Sequence, residues 1–121
     1  MPFSFGDVVW ADLDPSAGRE QRKRRPLVVV SNDKFNRHCN LTLVVPVNSA
    51  GDYPLHIDVG EVPDEAGGTI HGYAETEQVK SLDLASRNVV RAGSLAPKCA
   101  EALLDLVLGC LVAPDMMVYR A

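Results

Sequence analysis

Residues 19–25 include five cations: Arg19, Arg22, Lys23, Arg24 and Arg25. A guanidinium is charged at any ordinary pH, and its planar fork meets two phosphate oxygens at once. Such a cluster can bind a phosphate backbone. It can also steady charge that builds on a phosphate during reaction. The rest of the chain leans the other way. The formal net charge is −4, with Asp58, Glu61, Asp64, Glu65, Glu75 and Glu77 spread along it. Net charge alone argues against a nucleic-acid binder. Charge is local as well as global, so one basic loop on an acidic body can still hold a phosphate backbone. A solvated surface loop has the same composition, and composition leaves both readings open.

The elements around this loop read mainly as strands. Residues 7–13 alternate apolar and polar side chains around Val8 and Trp10, a strand pattern, and Asp14-Pro15 breaks it. Residues 16–24 are polar and contain Gly18, which predicts a loop. Residues 26–31 carry Leu27, Val28, Val29 and Val30, a short β-branched run expected of a strand buried on both faces. Pro26 fits its first position. Residues 32–40 read as a polar loop, 41–47 as another buried strand, and 48–54 as a turn-rich loop. Residues 55–59 form a short alternating strand, and 61–68, with Pro63, Gly67 and Gly68, read as a loop. A further strand is centred on residues 77–81, and a short one covers 88–91. Pro97 suits the first turn of a helix. Cys99, Leu103, Leu106, Val107, Cys110 and Leu111 then recur at helical spacing, and Pro114 stops the run. The expected architecture is one domain over residues 1–121, a small, partly closed β-barrel with a C-terminal helix packed on it.

Composition excludes several classes. Hydrophobic residues make up 46% and charged residues 23%, which argues against disorder. No apolar run is long enough to span a bilayer, and the first ten residues lack the pattern of a signal peptide. Cys39, Cys99 and Cys110 are odd in number and scattered, which suits a reducing compartment. A cytoplasmic protein is expected. No spacing among His38, His56, His71 and the cysteines resembles a zinc site, so neither a metal nor another cofactor is expected.

Four fragments near the start carry more information: Gly6-Asp7-Val8-Val9-Trp10, Asp12-Leu13-Asp14-Pro15, Gly18-Arg19-Glu20-Gln21, and Arg25-Pro26-Leu27-Val28-Val29-Val30-Ser31. In this order and spacing they resemble the MazF/PemK family. Val45-Pro46, Gly51-Asp52-Tyr53-Pro54 and Glu77-Gln78-Val79-Lys80-Ser81 match later segments of the same pattern. Each fragment is weak alone; together, and with the closing helix, the resemblance covers nearly the whole chain. It implies an SH3-like small β-barrel. It also implies a toxin that cuts single-stranded RNA at short sequences, without a metal, leaving 2′,3′-cyclic phosphate and 5′-hydroxyl ends. Partners implied by the resemblance are RNA, a second copy in a homodimer, and a cognate MazE-like antitoxin, all in a bacterial cytoplasm, with no membrane. Two alternatives stand beside it. One is a toxin of the same fold that docks on DNA gyrase without cutting, like the CcdB toxins. The other is a catalytically weakened RNA-binding relative. The Gly18-to-Pro26 segment belongs to the nuclease branch.

The resemblance assigns roles to particular residues. Arg25 matches the family's catalytic arginine. A pKa above about 12 makes it a poor base, so charge stabilisation is the better role. Pro26 and the apolar strand behind it place Arg25 at the rigid end of a loop. Glu20 either orients Arg25, acts as the base, or closes a loop hydrogen bond. Gln21 either reads a base edge or holds the loop. Lys23, where a small residue is common, and Arg24 add charge for phosphate contact. Asn48 stands where many members carry a threonine that helps hold the reacting phosphate, and Ser49 follows it. Either can donate a hydrogen bond. Gln78 and Lys80 alternate on one strand face and match the segment lining the RNA groove. Phe35 can stack a base, while Trp10 reads as packing. His56 can serve near neutral pH as an acid, a base or an RNA contact, or be a satisfied strand residue.

Overall fold

The computed structural model describes residues 2–13, 24–49, 51 and 53–113. Along the chain lie β1 (Asp7–Asp12), β2 (Arg24–Val29), α1 (Asp33–His38), β3 (Thr42–Asn48), β4 (His56–Asp58) and β5 (Val62–Pro63). They are followed by β6 (Thr69–Ile70), β7 (Tyr73–Glu75), β8 (Lys80–Leu82), β9 (Val90–Ser94) and α2 (Pro97–Leu111). Short 3₁₀ turns cover Thr76–Gln78 and Leu84–Ser86.

The main sheet runs β4-β7-β3-β2-β1-β9, with β8 joined to the other end of β3. The fold is thus mainly β with a C-terminal helix, as the sequence predicts. Among the described residues the end strands β4 and β9 do not pair, so the sheet curls without closing. Instead, α2 sets Ala100, Leu103 and Val107 into the concave core with Val8, Val28, Val45, Val47 and Ala74.

The opposite face of the central strands is also covered. Val9, Ala11, Leu27, Val29 and Val44 pack with Leu82 and Leu84 in a second cluster. Alternate residues of β1, β2 and β3 therefore enter two different cores, which is why Leu27 to Val30 reads as an unbroken apolar run. A strand gripped on both faces holds its first residues, Arg24 and Arg25, in a fixed frame.

Three segments differ from the sequence reading. Residues 32–40 contain α1 rather than only a loop. The Asn32 side chain accepts the Phe35 N–H at 2.8 Å and starts the helix. With one large apolar residue in the turn, no periodicity announces it. Residues 61–68 hold β5, which pairs with β6 at Val62↔Ile70 and Pro63↔Thr69. On α2 the buried stripe is Ala100, Leu103 and Val107, while Cys110 and Leu111 are exposed. Ala100 is buried at the centre of the helix's inner face, with Cys99 half-buried against the same core at its edge.

A buried polar knot fixes the far end of β2. Ser31 Oγ donates to Asn36 Oδ1 at 2.5 Å and accepts the Leu43 N–H at 3.1 Å. Asn36 Nδ2 donates to the Phe3 and Ser31 carbonyls at 2.8 and 3.0 Å. Replacing Asn36 by alanine leaves these buried groups unpaired, at a cost of roughly 1–3 kcal/mol. Thermal melts of Asn36→Ala are expected to fall by roughly 5–10 °C. An unchanged melt would show that the knot contributes nothing to stability.

Candidate active site

The strands bearing the expected chemistry lie side by side. β2 and β3 pair at Leu27↔Pro46, Val28↔Val45 and Val29↔Val44. Continued two residues further, this antiparallel register sets Arg25 across from Asn48. Asn48 pairs with Tyr73 of β7, and Tyr73 with Asp58 of β4. On the other side Arg25 pairs with Ala11 of β1. Residues opposite one another share a face, so one row across the sheet reads Ala11, Arg25, Asn48, Tyr73, Asp58. Along that face Leu27, Val29 and Val44 are buried, whereas Arg25 and Asn48 are half-buried. The face changes from core to surface at this point and presents a guanidinium beside an amide.

The end of β1 and the start of β2 are clamped. Arg24 Nη1 donates to Asp12 Oδ1 at 3.2 Å, and Asn88 Nδ2 donates to Asp12 Oδ2 at 2.8 Å. Arg87 Nη1 donates to the carbonyls of Asp12 and Leu13 at 3.1 and 2.6 Å. Asn88 sits at φ +54°, a left-handed position that asparagine tolerates. Arg24, expected as an RNA contact, is thus engaged with Asp12. Among the described residues no hydrogen bond or ion pair engages the Arg25 side chain.

His56, expected at the RNA surface, is instead enclosed: its side chain is 8% exposed. Nδ1 lies 3.1 Å from the Gly51 carbonyl and Nε2 lies 3.1 Å from Glu77 Oε2, with Glu75 Oε2 at 3.9 Å. The hydrogen bond to Gly51 raises the pKa of His56. Burial opposes this, and the bond to Glu77 and the charges of Glu77 and Glu75 add to the rise. At Glu77 burial works upward, but its bond to His56 and the histidine's charge bring its pKa below the usual value. One atom each of His56, Glu75 and Glu77 lies within 4.8 Å of the others. Sequence spacing gave no hint of this grouping. It reads as a hydrogen-bonded ion cluster, one donor short of a closed zinc site.

The remaining expected residues are divided. Ser49 is exposed and lines a groove of about 460 Å³ with Asp58, Gly60, Glu61, His71 and Tyr73. Gln78 is exposed but lies on the 3₁₀ turn, not on a strand, so the alternation with Lys80 does not apply. Lys80 pairs with Val44, which places it on the face of Asn48, roughly 13 Å along β3. Phe35 is not brought to this site. It borders an apolar groove of about 660 Å³ with Phe5, Val30, Leu43, Leu104 and Leu108, at the other end of β2. Trp10 packs on the core and donates Nε1–H to Asp64 at 2.8 Å. Glu20, Gln21 and Lys23 lie outside the described residues.

Sequence reasoning missed Arg87, Asn88 and Gly72. Gly72 touches the Asn48 backbone, where a Cβ would stand 2.7 Å from the Asn48 carbonyl oxygen. Only its place before Tyr73, in a segment otherwise read as strand, could have flagged it.

These features define a small, mainly β protein packed against one C-terminal helix, with an arginine–amide row where β2 begins and β3 ends. A family model described as PemK-like, MazF-like toxin of type II toxin-antitoxin system matches residues 4–108, and the chain belongs to that family. The endoribonuclease toxin MazF of Escherichia coli K12 is 33% identical over 109 residues, covering 87% of this chain and 93% of that protein. The crystal structure of MazF from Deinococcus radiodurans aligns with TM-score 0.72 at 27% identity, over 92% of this chain and 97% of that one. A MazE–MazF complex from the same organism aligns with TM-score 0.67 at 29% identity, over 92% and 93%. These matches favour the nuclease branch over the gyrase-docking alternative. No helix among the described residues is long and apolar enough to cross a membrane.

Proposed function

We propose that this chain is an endoribonuclease toxin that cleaves single-stranded RNA at a short sequence, without a metal. It acts as a homodimer in the bacterial cytoplasm and is neutralised by a cognate MazE-like antitoxin. The observation that carries the reading is the half-buried row of Arg25 and Asn48 where β2 begins and β3 ends. The 2′-oxygen attacks the adjacent phosphorus, the bond to the 5′-oxygen breaks, and a 2′,3′-cyclic phosphate and a 5′-hydroxyl result. Negative charge grows on the phosphate oxygens meanwhile. Arg25 meets that charge with its two-pronged donor.

Asn48 is the donor that replaces the family threonine. Ser49 is the weaker candidate, because Asp58 and Glu61 border its groove and repel a phosphate. Glu20 is a candidate orienter or base, and Gln21, Lys23, Gln78 and Lys80 are candidate RNA contacts. In this reading Arg24 ties β2 to β1 through Asp12 and adds charge near the RNA backbone.

The test is incubation of the purified protein with a long single-stranded RNA in EDTA, with cut sites and end groups mapped. Cuts at one short sequence with cyclic-phosphate and 5′-hydroxyl ends are expected. A folded protein that leaves several varied RNAs intact would move the reading to a binding-only toxin.

A further inference from the structure

His56 stands between the two segments on which the site depends. Gly51, at its Nδ1, belongs to the loop that follows Asn48 and Ser49. Glu77, at its Nε2, immediately precedes Gln78 and leads to Lys80. The bonding pattern fixes the state of the ring. A carbonyl oxygen only accepts, so Nδ1 must carry a proton to bond Gly51. A neutral ring holds one proton, and its Nε2 would then turn a lone pair toward two carboxylates. Ionised carboxylates also only accept. A ring protonated on both nitrogens satisfies every contact.

The titratable neighbours are Glu75 from β7, Glu77 from the turn, and Tyr53, whose ring centroid lies 4.9 Å away. Next to β7, β3 carries Val47 and Asn48. α2, which packs against β4 and the turn, buries Ala100, Leu103 and Val107. Among the described residues, the only charges acting on the ring are those of the two glutamates.

We propose that His56, doubly protonated, is a positioning residue that ties the loop after β3 to the turn before β8. It thereby holds the Asn48 side of the RNA site against the Gln78–Lys80 side, and it lets go when the ring loses a proton. The inference rests on the RNA-cleavage reading for what the tie positions, not for whether the tie exists. The folded pKa is raised. The tie is therefore complete below the unfolded value, about 6.5, and is lost as pH rises through the folded value.

The test follows the His56 ring nitrogens by NMR between pH 6 and 9 in EDTA, beside KM for one single-stranded RNA. The proteins are wild type, Glu77→Gln and His56→Gln. A glutamine amide at position 77 can donate to a neutral Nε2, so that variant keeps the tie without the charge. In wild type an imidazolium pattern is expected to persist above pH 6.5, with KM rising roughly 3–10-fold as it disappears. Glu77→Gln is expected to titrate lower and keep a flat, low KM. His56→Gln is expected to show the high KM at every pH. A wild-type ring already neutral at pH 6.5, or a KM that ignores its titration, would overturn the inference. So would a ring signal that differs in a parallel sample without EDTA, which would mark a bound cation. Wild type that cleaves nothing at any pH would sink the nuclease reading instead, while the ring titration still decides the tie.

Discussion

Arg25→Ala is expected to lower RNA cleavage about 10²–10³-fold, the usual effect of removing one donor aimed at transition-state charge. The loss belongs in kcat more than in KM, because charge on the phosphate grows after binding. Arg25→Lys should recover little, since a point charge on a flexible stem does not reproduce the two-pronged geometry. The fold should not suffer. Arg25 is half-buried at the strand's open end, and among the described residues no hydrogen bond or ion pair holds its side chain. Arg24→Ala is the control next door. It removes an exposed ion pair to Asp12, an interaction of about 0–1 kcal/mol, and the cleavage rate should change far less. Single-turnover rates with saturating RNA, beside thermal melts, separate the two. Equal toxicity of Arg25→Ala and wild type in cells would remove Arg25 from the chemistry.

How much of this was legible in the sequence depends on the range of the interactions. β2 and β3 were readable because both faces of each strand are buried, so Leu27 to Val30 and Leu43 to Val47 form runs that need no partner to be recognised. Arg25 and Asn48 were readable because a Pro follows one and a Val-Pro precedes the other. Their adjacency was not, since register depends on how residues 27 and 46 meet. The turn at Gln78 was missed because Thr76 is fully buried and its hydroxyl donates to the Leu55 carbonyl, which bends the chain out of the strand. The sequence left His56 open between an RNA contact and a locally satisfied strand residue, because its partners are not its neighbours in sequence. Its enclosure comes from Glu75 and Glu77, about twenty positions later. The clamp of Arg87 on Asp12 spans 75 positions, and no local pattern could announce it.

Gly72→Ala is expected to be the most destructive single methyl in the described part of the protein. Gly72 has φ +138°, a region that side chains rarely occupy. Its added Cβ would also stand 2.7 Å from the Asn48 carbonyl oxygen and 3.2 Å from a Val47 methyl. The first neighbour is backbone in a paired strand and cannot swing aside. Strain of ~1–3 kcal/mol from the dihedral alone, with the clash added, should lower the melting temperature by more than ~10 °C. Gly68→Ala separates the two causes. Gly68 also has positive φ, +81°, but open space around it, so only the dihedral strain applies. The functional consequence follows from where the strain is relieved. Asn48 lies between Tyr73 and Arg25 in the row, so a chain that yields at Asn48 shifts its amide out of its place beside Arg25. Below its melting temperature Gly72→Ala should therefore cleave RNA at a rate close to that of Asn48→Ala. The double variant should lose little more, the non-additivity expected when two changes act through one group. Strictly multiplicative losses would show that Gly72 acts on cleavage by some route other than Asn48. A wild-type melt would show that β7 relaxes around the methyl at no cost.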